Sequence, residues 1–276
     1  MFYKKTGSHW VSLTGGFSMA LMCLASRQQI VVHKLSWRAP LQWLRLGWRD
    51  LQRTVNDALL YGAAFVLLAY GLAYSLQVVP ELGLLLAFVS LLLGPFLATG
   101  LYDIARQQHA FGGGRVMLLY SAKAWRANSG SLALFGMVLA LLLCAWVALS
   151  LLLLALFYQG PWQSAVIWSQ PGAWLVELPF LAAWSLLSLL FVLFILALSV
   201  CTAAMLLDKD VDAITAMQAS LAVVGRNRVT MLLWAAMIMT LVAICVASQF
   251  VGLLLVAPWL GLSSWHAYRA LISYQC

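Results

Sequence analysis

The stretch Thr230–Leu271 is apolar for about forty residues, roughly twice what one bilayer crossing needs. It is expected to hold two spans that turn near Ser248-Gln249. Upstream, Ala58–Val79, Leu82–Leu101, Leu132–Tyr158 and a segment within Phe180–Leu207 are each long enough to cross once, which makes six. The runs are continuous rather than alternating, so they read as helices and not as the strands of a barrel. Composition agrees. With 64% hydrophobic and 9% charged residues, the chain has too little polar surface to cover a water-soluble domain of 276 residues. The expected fold class is all-α, a polytopic helical membrane protein.

Charge placement sets the orientation. All sixteen Lys and Arg precede the first span, fall between the second and third or the fourth and fifth, or follow the sixth. None falls near Pro80, in Gln159–Pro171 or at Ser248-Gln249. Positive charge favours the cytoplasmic side, so both termini are expected there. The net charge of +8 therefore reads as attraction to anionic headgroups rather than to nucleic acid. The five cysteines form no CxxC pair and read as small buried hydrophobes.

Amphipathic helices are expected between the spans. In Leu206–Trp234, residues Val211, Ile214, Met217, Leu221 and Val224 recur at three- and four-residue steps, with Asp210 as the cap and Gly225 as the terminator. In the first such helix, Pro40 suits the opening turn, and Leu41, Leu44, Trp48 and Leu51 share a face. Packing against anionic headgroups and packing against the protein's own bundle are equally good readings of that face. A second helix is expected over Arg115–Asn128. Candidate interfacial anchors are Trp43, Arg45, Trp48 and Arg49, with Arg126 and Arg226 in the other two helices. Residues 1–36 are expected as a cytoplasmic extension, with an uncleaved anchor or an upstream extension of the gene start as alternatives.

The spacing also suggests a repeat. Arg53-Thr54 precedes Tyr61 by the interval at which Ala127-Asn128 precedes Phe135 and Arg226-Asn227 precedes Trp234. Pro95, Tyr102 and Arg106 are spaced like Pro258, Trp265 and Arg269. The expectation is a membrane domain over 37–276 built from three units, about 37–110, 111–207 and 208–276. Each would be an interfacial helix plus a transmembrane hairpin, related by an axis along the membrane normal.

The stretches LQWLRLGWRDL, LLLGPFLATGLYDIAR, MLLDKDVDAITAM and WHAYRALI resemble the bacterial integral-membrane proteins of domain-of-unknown-function family 2189, over roughly Leu35 to Tyr274. That resemblance implies a bacterial inner-membrane location. The family has no established activity, and some members carry a provisional cytochrome c oxidase subunit label.

The chemistry legible in the sequence is sparse. Haem-copper catalysis needs several intramembrane histidines, and of His9, His33, His109 and His266 only His266 lies near a span. No zinc helix, nucleophile elbow, P-loop or dinucleotide fingerprint occurs, so no enzyme, no intrinsic cofactor and no metal are expected. Bound lipid is expected. His266, Tyr268 and Arg269, joined by Asp103 and Arg106 if the repeats adjoin, are candidate contacts for a headgroup or quinone. The preferred expectation is a non-catalytic subunit, or an accessory or assembly protein, of a larger membrane complex, plausibly respiratory, whose partners are other integral membrane subunits. The alternative is a small-solute or lipid transporter built from the three pseudo-repeats.

Overall fold

The computed structural model describes residues 29–78, 97–109, 126, 128–157 and 178–275. The N-terminal residues up to 28, most of the second expected span, most of the second amphipathic helix and the loop Gln159–Pro171 lie outside the described residues. The elements are β1 (Gln29–Val32), α1 (Ala39–Arg53), α2 (Val55–Val78), α3 (97–109) and α4 (Ser129–Phe157). They continue with α5 (Leu178–Ser199), α6 (Thr202–Asp208), α7 (Ala213–Arg226), α8 (Arg228–Ala247), α9 (Leu253–Leu271) and β2 (Ile272–Gln275). Among the described residues the fold is helical except for β1 and β2, which pair antiparallel from Gln29↔Gln275 to Val32↔Ile272.

Among the described residues, four helices are long and apolar enough to cross a membrane: Val55–Ser75, Ser129–Phe157, Leu178–Asp208 and Arg228–Ala247. They coincide with the first, third, fourth and fifth expected spans. The chain turns after Ala247 as the sequence suggests, with Gln249 and Phe250 at φ 52 and 67. Helix α9 follows and carries Ser263, Ser264, His266 and Arg269 toward its C-terminus, so it is less apolar than the other four.

Both described amphipathic helices divide the expected apolar face: Leu44, Leu51, Val211, Met217 and Val224 pack on the core, and the rest of the face is exposed. In α1 the buried positions are Trp43, Gly47, Asp50 and Leu51, while Leu41 and Trp48 are exposed. In α7 they are Ala213, Ala216, Ala219, Ser220 and Val223, while Ile214 and Leu221 are exposed. The reason is that small side chains let helix backbones approach, whereas large apolar ones are equally at home against lipid. The cap of α7 is Asp212, not Asp210; its carboxylate accepts the Thr215 N–H at 2.8 Å. Nor does Gly225 terminate the helix, which runs on to Arg226 and is capped by Asn227.

Two helix contacts contrast sharply. Helix α9 lies against α1 and α2 with no side chain between the backbones at two points. A Cβ on Gly47 would strike Ser263, and one on Gly62 would strike the Leu254 carbonyl. Helices α4 and α5 instead form a hairpin joined by reciprocal bonds. Trp146 Nε1 donates to Ser188 Oγ at 3.1 Å, and Trp184 Nε1 donates to Ser150 Oγ at 3.2 Å. Beyond those bonds the hairpin is little buried by the rest of the chain. Leu198 is the buried residue of α5, and the buried residues of α4 lie between Leu132 and Leu139.

The α5–α6 break has an identifiable cause. Ser220 of α7 enters the hydrogen-bond ladder, donating to the Ala197 carbonyl at 2.7 Å and accepting from the Cys201 N–H at 3.3 Å. These are the two groups that would otherwise bond each other in an unbroken helix.

Candidate functional site

Three polar turn residues, Thr54, Asn128 and Asn227, each sit just before the start of a long helix, and each binds a distant stretch of chain. Asn227 Nδ2 donates to the His33 carbonyl at 2.9 Å, and its Oδ1 accepts the Leu35 N–H at 2.8 Å. That ties the start of α8 to the segment entering α1. Asn128 Nδ2 donates to the Val211 carbonyl at 2.8 Å, tying the start of α4 to the segment entering α7. Thr54 Oγ1 accepts from Gln108 Nε2 at 2.9 Å, tying the start of α2 to the end of α3. An amide can satisfy a donor and an acceptor of one passing backbone, which is why Asn suits such a splice.

Further polar contacts lie at the same end. Asp50 of α1 and His266 of α9 meet at 2.7 Å, with both side chains nearly out of solvent. The His109 ring stands edge-on to His266 with centroids 5.0 Å apart. In α3, Arg106 pairs with the buried Asp103 at 2.6 Å and donates to the Leu207 carbonyl at 3.3 Å. Tyr268 donates to Asp208 at 2.8 Å and meets Tyr274 at 3.1 Å, while Arg269 stands 3.8 Å from Asp208. Burial pushes the Tyr274 phenol up to about 12, so it stays neutral. Among the described residues no three His, Cys, Asp or Glu side chains gather in a way that would hold a metal ion.

These contacts place the sequence candidates. Asp103, Arg106, His266, Tyr268 and Arg269 do come to one end of the molecule. His266 and Tyr268 are turned into the protein rather than toward the bilayer, because Asp50 and Asp208 bind them there. Trp43 is likewise not an interfacial anchor. It is buried, edge-on to Trp234 at 5.5 Å. Arg45, Arg49, Arg126 and Arg226 are exposed, and Trp48 is exposed beside Trp259. Sequence reasoning missed Asp50, although its place on the Trp43–Gly47 face was a signal. It also missed His109 and Ser220, which carry none.

A cavity of about 360 Å³ lies between α5 and α8. Its walls include Leu193, Ala197, Val200, Trp234, Ala235 and Ile238, and it extends to Tyr102 and Ser264. Arg228 also lines it. The lining is overwhelmingly apolar, and the cavity adjoins the α5–α6 break.

Apolar helices of bilayer length, with ionic contacts confined to their ends, define a helical integral membrane protein. The family described as "predicted integral membrane protein (DUF2189)" matches residues 83–208. The resemblance to that family is thus shown over this segment, shorter than the sequence motifs suggest. The matched segment contains Asp103, Arg106 and Asp208, and leaves out Asp50, His266 and Arg228. No curated protein and no solved structure matches the chain.

Proposed function

We propose that this chain is a non-catalytic subunit, or an accessory or assembly protein, of a larger bacterial membrane complex, and that it works through the lateral face of the α4–α5 hairpin. The observation that carries this reading is the hairpin's exposure. Leu141, Leu152, Leu186 and Leu190 are each more than half exposed on helices long enough to cross the bilayer. A face of that kind can pack against lipid or against another membrane protein. Two further features favour the reading over transport of a polar solute. The interiors of the four described spans carry no Asp, Glu, Lys, Arg or His, and the cavity is apolar rather than a polar path.

The proposal includes six spans in the inner membrane, both termini cytoplasmic, and three related units. The three splices support the repeat. Asn227 holds the entry to α1, Asn128 holds the entry to α7, and Thr54 holds Gln108, which precedes the second unit. The Asn128 link thus joins the second unit to the third, the Asn227 link joins the third to the residues just before the first, and the Thr54 link lies within the first. The equivalent residues Tyr61, Phe135 and Trp234 are all buried, and Tyr102 lies 6.4 Å from its counterpart Trp265. The oxidase label carried by some family members makes electron-transfer complexes the first partners to look for.

Purification from native membranes in mild detergent, with mass identification and a visible absorption spectrum, tests the reading. Stoichiometric recovery with another integral membrane complex is expected. A colourless protein recovered alone overturns it.

A further inference from the structure

We propose that the cleft between α5 and α8 binds one anionic phospholipid, with an acyl chain in the cavity and the phosphate at Arg228. The cavity's volume of about 360 Å³ falls within the range of small-molecule sites, roughly 300–1,000 Å³. An acyl chain is slender enough to enter, and the lining of Leu193, Ala197, Val200, Ala235 and Ile238 suits it.

Charge identifies the headgroup. Arg228 is the first residue of α8, is exposed, and has no carboxylate within ion-pair distance among the described residues. Arg106 and Arg269 each have one. The N-terminus of α8 adds to the field, because the Asn227 side chain is committed to His33 and Leu35 and does not cap the helix. Uncapped first-turn amides and the helix dipole both favour an anion beside Arg228. Ser199, the last residue of α5, also lines the wall, and its hydroxyl has no partner among the described residues.

The comparable contact between α9 and α2 leaves no such room, because Gly62 brings α2 onto the Leu254 backbone. At the positions matching Arg228, the other two long helices carry Val55 and Ser129. Cation and cleft therefore occur together at one place. The site does not depend on whether a partner protein covers the α4–α5 hairpin.

The test is native mass spectrometry of the delipidated full chain, titrated with phosphatidylglycerol or phosphatidylcholine of identical acyl chains. One tightly held phosphatidylglycerol per chain is expected. Arg228→Gln should weaken it about fivefold, the value of one basic residue at an anionic surface, and leave phosphatidylcholine unchanged. Ala235→Phe, which fills the cleft, should remove the tight lipid. In the unaltered protein, phosphatidylglycerol brominated on its chains should quench a fluorescence component that Trp234→Phe abolishes. Equal retention of the two lipids, indifference to Arg228→Gln, or quenching that Trp234→Phe does not change would each overturn the site.

Discussion

The seam of α9 with α1 and α2 is closed backbone to backbone, whereas the seam of α5 with α8 is open. At the first, Gly47 and Gly62 remove the side chains that would hold the backbones apart, and the buried pair Asp50–His266 locks the result. At the second, Ser220 breaks the α5 ladder, Arg228 stands at the helix start, and a cavity remains. Close approach of helices in a membrane depends on small residues more than on apolar bulk. The same chain uses that rule to seal one seam and suspends it at the other.

The largest effect should come from the lock. Asp50→Ala leaves His266 buried without its partner and should cost about 2–3 kcal/mol, read as a lower midpoint of thermal unfolding in detergent. Overpacking the sealed seam ranks next. Gly62→Val should cost about 1–3 kcal/mol, and the comparison sharpens if valine at Gly71, which has nothing within 4 Å of a built Cβ, costs far less. Asn227→Ala leaves the Leu35 N–H and the His33 carbonyl without their partner, at about 1–3 kcal/mol, with faster hydrogen exchange at Leu35. Ser220→Ala frees the Ala197 carbonyl to bond Cys201 again. It should therefore change stability by less than the preceding substitutions while straightening the α5–α6 junction, visible as a changed spin-label distance across it.

The smallest effect is pH-dependent. The side-chain bond to Thr215 lowers the Asp212 carboxyl below its usual value of 3.8. Its help to α7 is present above that usual value and lost as pH falls through the lowered one. Faster exchange at Thr215 in that acid range checks it, and Asp212→Asn should flatten the profile.

Much of this was legible from the residues. Apolar length placed the first, third, fourth and fifth spans, and the turn after Ala247 fell where polar residues interrupt the last apolar run. Asn128 and Asn227 stood out through the repeat spacing, though their long-range partners did not. The buried faces of α1 and α7 were legible only in part, because hydrophobic periodicity reports where apolar bulk lies, and in a bilayer bulk is stable facing out as well as in. The Asp50–His266 pair joins residues 216 positions apart, and no local pattern announces such a partner. The break in α5 comes from a serine on another helix, so no proline near Ala197–Cys201 reveals it.

The most direct test of the proposed function is site-specific photo-crosslinking in native membranes. The crosslinker would be placed at Leu141 and Leu190 on the hairpin and, as controls, at Val246 and Leu255 near the opposite turn, all of them exposed. The account predicts that the hairpin positions capture the same integral membrane protein that co-purifies in stoichiometric amount, and that the controls do not. Adducts with lipid alone at Leu141 and Leu190 would contradict it.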